Sequence, residues 1–293
     1  MNIQKRSVTV LPAPAAHWVG DGFPVRSMIT PQGMGGKVSP FLLLDYAGPA
    51  NFEPTEKPRG VEEHPHRGFE TVTIVYQGEL EHRDSTGNYG KVGAGDVQWM
   101  TAAAGVVHEE KHTTDFARRG GVLEMVQLWV NLPAKYKMST PRYQTILDKQ
   151  IPVVDLPNGT GYARVIAGEY SGKIGTARTF TPVTMIDIHL SSTGKSNWKF
   201  PLGYTTALLV LNGKVRVNFT HEAEHASLII MEPDGEQFVI EAVEDSTLLL
   251  LSGEPILEPI ASYGPFVMNT REELQQAFED YQSGKMGTLS RQF

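Results

Sequence analysis

The sequence predicts an all-β protein made of two β-barrel or β-sandwich halves and a C-terminal helix. Three observations support this class: apolar segments are short, an internal repeat divides the chain, and one segment near the C-terminus has helical composition. The 293 residues include 29 glycines and 19 prolines, which is typical of many short strands separated by turns. Since domains commonly hold roughly 100 to 200 residues, this length suits two domains.

The internal repeat pairs HPHRGFETVTIVYQG (64–78) with KFPLGYTTALLVLNG (199–213), aligned without gaps. Each copy turns at its last glycine into another strand, and later offers a Gly/Asp turn before a further strand, a spacing typical of barrels and sandwiches. We therefore predict an N-terminal domain at residues 1–135 and a C-terminal domain at residues 136–293. The identical positions are Gly68 and Gly203, Thr71 and Thr206, Val75 and Val210, and Gly78 and Gly213.

The C-terminal helix is predicted from REELQQAFEDYQSG. Thr270 followed by Glu273 is a capping-box pattern, in which each residue satisfies a backbone N–H of the other. Gly284 is the expected end of the helix.

Composition argues against several classes of function. The chain has no cysteine, so disulfides, thiolate metal sites and cysteine nucleophiles are excluded. The net charge of −7 is spread along the sequence without a basic block, which argues against direct nucleic-acid binding. No apolar run approaches the roughly 18 residues that a membrane-spanning helix needs.

The N-terminus has a superficial likeness to a signal peptide, because Lys5 and Arg6 precede SVTVLPAPAA. Pro12 and Pro14 interrupt that stretch. We therefore predict a first strand here, and a cytoplasmic protein.

The candidate metal ligands come from two strand-like motifs. His64 and His66 are two residues apart, and so are His108 and Glu110 in GVVHEEKH; in a strand each pair shares a face. Imidazole and carboxylate suit iron, manganese, nickel, copper or zinc. In the second copy of the repeat, lysine and proline stand in place of the paired histidines. We therefore predict one metal site, in the first half of the chain.

The fourth ligand is left open by spacing alone, because Glu70 shares the face of the paired histidines and is as good a candidate as Glu110. Glu109 has the opposite parity in its strand, and His112 lies further along. His82 follows the hairpin turn, and we expect it on the surface.

A second histidine motif, HEAEH at residues 221–225, formally matches the HExxH pattern of zinc proteases. That pattern binds zinc only on a helix, where histidines four residues apart share a face. Here it lies between two strand-like segments, so we predict a solvated hairpin loop without metal.

Four segments together resemble the pirin family of the cupin superfamily: HPHRGFETV, GDVQWMTAAAGVVHEE, VQLWVNL and GPFVMNTREE. The resemblance runs from about residue 40 to the C-terminal helix. It implies two cupin β-barrels facing each other, with metal only in the N-terminal one and a degenerate C-terminal one. By this resemblance the ligands are His64, His66, His108 and Glu110, the usual metal is iron(II), and Glu70 lies behind the ligands. In cupins at large, however, the carboxylate at the position of Glu70 is often the ligand.

The resemblance implies two alternative functions. Some pirins are similar to quercetin 2,3-dioxygenases, which open the central flavonol ring with O₂ and release carbon monoxide; Glu110 would then act as the base. Others resemble regulatory proteins that bind a transcription factor or a metabolic enzyme, with the metal as a structural or redox-sensing element. The expected partners are a flavonol-like substrate and O₂, or a protein. The acidic surface and family precedent favour a monomer.

Overall fold

The computed structural model describes residues 4–5, 8–34 and 36–289. Short strands dominate both halves of the chain. The elements of the first half are β1 (Val8–Leu11), β2 (His17–Val19), β3 (Phe23–Ile29), β4 (Phe41–Phe52), β5 (Gly60–His66), β6 (Phe69–Gln77), β7 (Glu79–Asp84), β8 (Tyr89–Gly93), β9 (Val97–Thr101), β10 (Val106–His112), α1 (Thr114–Arg119), β11 (Gly121–Asn131), α2 (Ala134–Lys137) and β12 (Arg142–Ile146).

The second half is again built mainly from strands, with 3₁₀ turns at Asp148–Gln150 and Pro157–Gly159. Its elements are β13 (Val153–Asp155), β14 (Gly161–Ala167), β15 (Glu169–Tyr170), β16 (Lys173–Ile174), β17 (Val183–Leu190), β18 (Lys195–Lys199), β19 (Thr205–Asn212), β20 (Lys214–Val217), β21 (His221–Glu224), β22 (Leu228–Met231), β23 (Gln237–Ala242), β24 (Ser246–Gly253), β25 (Ala261–Tyr263), β26 (Phe266–Met268) and α3 (Arg271–Gln282).

The chain forms two compact units. The N-terminal unit comprises the described residues of Ala15–Lys37, Phe41–Asp148 and Ile256–Phe293, and the C-terminal unit those of Met1–Pro14, Val38–Pro40 and Lys149–Pro255. The predicted boundary lies after residue 135. In the structure, the C-terminal unit also includes the beginning of the chain, and the N-terminal unit also includes its end. Strand pairing is the reason, because β1 pairs with β22 of the C-terminal unit and Phe266 of β26 forms a bridge with Arg67 of the N-terminal unit.

The N-terminal unit contains a seven-stranded sheet and a four-stranded sheet. Their strand orders are β12-β9-β6-β11-β4-β3-β2 and β5-β10-β7-β8. Side chains of both sheets form an apolar cluster that includes Phe23, Val75, Leu80 and Met125.

The C-terminal unit repeats this arrangement, with strand orders β1-β22-β19-β24-β17-β14-β13 and β18-β23-β20-β21. Its apolar cluster is larger and includes Trp198, Val217, Phe238 and Ile240 of the four-stranded sheet. The matching strand orders confirm the predicted all-β class and the duplication. The interiors of the two units differ. Apolar side chains fill that of the C-terminal unit, whereas that of the N-terminal unit also contains buried histidines.

The C-terminal helix is confirmed as α3. The Thr270 hydroxyl accepts from the Glu273 N–H at 3.1 Å, while the Glu273 carboxylate accepts from the Thr270 N–H at 3.0 Å. Gly284 follows the helix with a φ of 77°, a left-handed conformation that glycine adopts without steric cost.

Candidate metal centre

Two paired strands bring His64, His66 and His108 together. In the antiparallel pair of β5 and β10, His108 lies opposite His64 and Val106 lies opposite His66. The ring centroids of His64 and His66 lie 4.8 Å apart, those of His64 and His108 4.3 Å, and those of His66 and His108 4.9 Å. One nitrogen of each ring lies within 4.8 Å of the others, a spacing at which the three could hold one metal ion.

Gly68 makes the turn from β5 into β6 possible. Its φ is 91°, and a Cβ there would lie 1.9 Å from the Val267 carbonyl oxygen. The repeat keeps this glycine as Gly203, with a φ of 88°. This glycine therefore belongs to the backbone framework of the repeat rather than to its chemistry.

Backbone carbonyls orient two of the rings. His64 Nδ1 lies 2.8 Å from the Glu62 carbonyl oxygen, and His66 Nδ1 lies 3.2 Å from that of Pro265. Because a carbonyl oxygen only accepts, each Nδ1 carries the hydrogen and each Nε2 keeps its lone pair. Metal-binding histidines are commonly held by such contacts on the second nitrogen.

The third ring, that of His108, is fully buried. Within the described part of the chain, its Nε2 is buried without any hydrogen-bond partner. A buried nitrogen without a partner costs free energy unless something binds it. A role of His108 as a metal ligand therefore explains this nitrogen better than a purely structural role.

Burial lowers the pKa of both His66 and His108 well below the usual value for histidine, and neighbouring histidines lower them further. Both rings are therefore neutral at physiological pH. Neutral imidazole is the form that binds metal.

Glu110 is a buried carboxylate held by two amide side chains. Gln98 Nε2 donates to its Oε1 at 2.7 Å, and Gln127 Nε2 donates to its Oε2 at 3.0 Å. The Thr73 hydroxyl lies 3.1 Å from Oε1 and 2.8 Å from Gln127 Oε1, so its one hydrogen is shared between these two acceptors. One carboxylate oxygen of Glu110 and one nitrogen each of His82 and His108 lie within 4.8 Å of one another. We call such a set of potential ligands a metal-sharing group; the other one consists of His64, His66 and His108. The structure thus places Glu110 beside the histidines.

Glu70, the alternative fourth ligand, belongs to neither metal-sharing group found among the described residues. Its Oε1 accepts from the Thr101 hydroxyl at 2.7 Å. Burial raises its pKa to about 7, so this carboxyl group keeps its proton to a much higher pH than an ordinary glutamate.

The expectation that His82 lies on the surface is wrong, because this residue is 1% exposed. Its Nδ1 lies 3.3 Å from His108 Nδ1, and its Nε2 lies 3.2 Å from Asp84 Oδ2. Burial alone would raise the pKa of Asp84, but hydrogen bonds from His82, Thr86 and Asn88 lower it to about 2. The alternation along β7 could have predicted the burial of His82, since Leu80, His82 and Asp84 are all buried on one face of this strand.

The two remaining polar neighbours face elsewhere. Glu109 pairs with Arg83 and Lys111, whereas His112 Nε2 donates to the Gly22 carbonyl oxygen at 3.1 Å. Neither belongs to a metal-sharing group among the described residues.

The HEAEH segment is a strand, not the predicted loop, because β21 spans His221–Glu224. Glu222 accepts from Lys214 and Arg216 of the neighbouring strand, each at 2.7 Å. Since the segment is not helical, the zinc-protease geometry is absent from these described residues.

A cavity of about 280 Å³ adjoins the histidines. Ligand pockets commonly measure roughly 300 to 1,000 Å³ and have mostly apolar walls with a few polar groups. This cavity lies just below that range. Its lining residues are Val19, Phe23, Val25, Leu43, Asp45, Val61, His64, His66, Glu110, Met125, Gln127, Trp129, Gly264 and Pro265.

Fold and site together define a duplicated β-barrel protein with a candidate histidine and carboxylate metal centre in one unit. The chain belongs to the pirin family. The family model Pirin matches residues 22–130, and the model Pirin C-terminal cupin domain matches residues 185–287.

Relatives support the assignment over nearly the whole chain. A Pseudomonas aeruginosa protein named "Putative quercetin 2,3-dioxygenase" is 54% identical, over 92% of this chain and 94% of its own length. The crystal structure of a quercetin 2,3-dioxygenase from Acinetobacter baumannii superposes with a TM-score of 0.94 at 48% identity, covering 99% of this chain and 100% of that one. A bacterial pirin from Escherichia coli in complex with nickel(II) shares the fold, with a TM-score of 0.67 at 20% identity, over 85% of this chain and all of that one.

Within the described ranges, no helix combines the length and the apolar character that crossing a membrane requires.

Proposed function

We propose that His64, His66, His108 and Glu110 hold one divalent first-row metal ion, with iron(II) as the expected ion. Three features support this ligand set: two rings present Nε2 because a carbonyl holds Nδ1, the buried His108 Nε2 has no hydrogen-bond partner among the described residues, and Glu110 lies close enough to His108 to share a metal ion with it. Imidazole and carboxylate together suit first-row metals. Among the described residues, both groups with metal-sharing spacing lie in the N-terminal unit, which supports one ion per chain.

We further propose that the chain is a quercetin 2,3-dioxygenase-like enzyme, which opens the central ring of a flavonol with O₂ and releases carbon monoxide. One observation carries this proposal: an apolar cavity has His64, His66 and Glu110 in its wall. Phe23, Met125 and Trp129 of that wall suit a flat aromatic substrate. The names of the Pseudomonas and Acinetobacter relatives agree with this class of reaction.

A bound metal supplies Lewis acidity, which makes a flavonol hydroxyl easier to deprotonate. The apolar walls exclude water from the aromatic rings and so favour binding of the substrate. Glu110 would receive the hydroxyl proton, while Gln98 and Gln127 hold its carboxylate in place.

The proposal is tested by an aerobic assay on protein loaded with iron(II) or another first-row metal. We expect the flavonol absorbance to bleach and carbon monoxide to be released. His66→Ala and His108→Ala should abolish both signals while the far-UV circular dichroism spectrum persists. His221→Ala, in the C-terminal unit, is the matched control and should leave both signals unchanged.

Two results would separate the parts of the proposal. If metal-loaded protein neither bleaches flavonols nor releases carbon monoxide, the enzymatic role fails for this substrate, and the regulatory binding role becomes the better explanation. If turnover persists in the metal-free His66→Ala variant, the role given to the metal is wrong although the activity stands.

A further inference from the structure

Asp84, His82 and His108 form a continuous buried chain of hydrogen-bonding groups. Asp84 Oδ2 lies 3.2 Å from His82 Nε2, and His82 Nδ1 lies 3.3 Å from His108 Nδ1. All three residues are at most 5% exposed. The chain ends at His108 Nε2, the buried nitrogen without a hydrogen-bond partner among the described residues.

Elementary chemistry fixes the hydrogens along this chain. A carboxylate only accepts hydrogen bonds, so His82 Nε2 carries a hydrogen and donates it to Asp84. In neutral His82 the other nitrogen, Nδ1, then has a lone pair and accepts from His108 Nδ1–H. His108 is left with its lone pair on Nε2, the nitrogen that the proposed metal site uses.

Asp84 and His82 are both held rigidly. Asp84 Oδ1 accepts from the Thr86 N–H at 2.8 Å and from the Thr86 hydroxyl at 2.7 Å, while Asn88 Nδ2 donates to Oδ2 at 3.0 Å. The ring of His82 stacks on Tyr143, with centroids 4.8 Å apart and an interplanar angle of 19°. Neither Asp84 nor His82 is therefore free to turn away from its partner.

The duplication shows that the fold itself does not need this histidine. The alignment that places Gly68 on Gly203 and Gly78 on Gly213 continues through the next strand and places His82 on Val217. Val217 is fully buried in the apolar cluster of the C-terminal unit, where no metal-sharing group occurs among the described residues. In the unit without a metal-sharing group, an apolar side chain therefore stands at the position equivalent to His82.

We propose that Asp84 and His82 are positioning residues that fix the tautomer of His108 and so present its Nε2 to the metal. This inference rests on the proposed function, because it assumes that His108 is a ligand. Hydrogen-bonding partners of metal-binding histidines commonly contribute 10- to 100-fold to metal affinity. The proposal assigns that contribution to His82 and, through it, to Asp84.

Three variants test the proposal by chelator-competition measurements of metal affinity. His82→Phe keeps an aromatic ring against Tyr143 but removes the acceptor, so the metal Kd should rise about 10- to 100-fold. His82→Asn retains a side-chain oxygen near the position of Nδ1 and should recover most of the affinity. Asp84→Asn keeps an oxygen for the turn but can donate to His82 Nε2, which reverses both tautomers, so its Kd should also rise.

A second readout needs no metal. In metal-free wild type labelled with ¹⁵N-histidine, NMR should show His108 as the Nδ1–H tautomer, and Asp84→Asn should convert it to Nε2–H. Finding Nε2–H in the wild type would overturn the proposal, as would equal affinities of wild type and His82→Phe. If the wild type binds no metal through His66 and His108, the proposed function fails. The tautomer measurement then still shows whether Asp84 and His82 fix the tautomer of His108.

X-ray absorption of the metal-loaded proteins distinguishes positioning from ligation. With His82 as a positioning residue, the number of imidazoles on the metal should be three in both wild type and His82→Asn. Loss of one imidazole in the variant would make His82 itself a ligand and would overturn the proposal.

Discussion

His64 and His108 face each other across the paired strands β5 and β10, with their ring centroids 4.3 Å apart. The register shifts just beyond this pair, so that Glu110 lies opposite Val61. Irregularities of this kind re-aim side chains next to functional sites. One strand pairing thus unites two motifs that lie about forty residues apart in the sequence.

We expect one tightly bound metal ion per chain. Purified protein should contain about one equivalent by elemental analysis, because only the N-terminal unit offers metal-sharing groups among the described residues. His64→Ala combined with His66→Ala should remove it. Two equivalents in the wild type, or a retained ion in this double variant, would contradict the prediction.

Glu110 and Glu70 should respond differently to the same substitution. Glu110→Gln replaces an anionic oxygen close to His108. We therefore expect metal affinity to fall by at least the roughly 10-fold that is lost when a hydrogen-bonding partner of a ligand is removed. Glu70→Gln should leave the affinity close to that of the wild type, because its carboxyl group lies outside both metal-sharing groups. The reverse order in a chelator-competition assay would make Glu70 the ligand.

Glu70 should make the stability of the metal-free protein depend on pH. Its pKa is raised from 4.5 to about 7 by burial, so between these values the folded state binds a proton that the unfolded state does not. The free energy of unfolding should therefore rise as the pH falls from 8 to 5, by roughly 2–3 kcal/mol from this group.

Urea unfolding of the wild type and Glu70→Gln at pH 8 and pH 5 isolates this effect. Glutamine does not titrate, so the pH dependence of the variant should be smaller by that amount. Equal pH dependence of the two proteins would show that Glu70 titrates normally in the folded state.

Lys137 should stabilise the backbone around the candidate site. Its buried ammonium donates to the Gly68 carbonyl at 2.7 Å, to Asn131 Oδ1 at 2.7 Å and to the Val267 carbonyl at 3.0 Å. Lys137→Met should lower the free energy of unfolding by about 3 kcal/mol, because three buried acceptors lose their hydrogen-bond donor. Lys135→Met, at an exposed position of the same helix, is the control, and an equally small effect of both substitutions would refute this role.

Several features could be predicted from the sequence because local physics fixes them. Strand alternation places His64 and His66 on one face, and the capping box of Thr270 and Glu273 defines the start of α3. The glycines at 68 and 203 mark equivalent turns with a positive φ. Alignment of the repeat then distinguished a half with paired histidines from one without.

The tertiary structure decided what depends on contacts between distant segments. Alternation tells which residues share a face, but not which strand lies opposite, so neither the place of Glu110 beside His108 nor the burial of His82 followed from spacing. The pairing of β1 with β22 likewise joins residues more than 200 positions apart. The sequence by itself determined the class of fold and the shared face of His64 and His66, because these depend on periodicity. Only the tertiary structure placed His108 beside them, and Glu110 and His82 beside His108, because these placements depend on the register between strands.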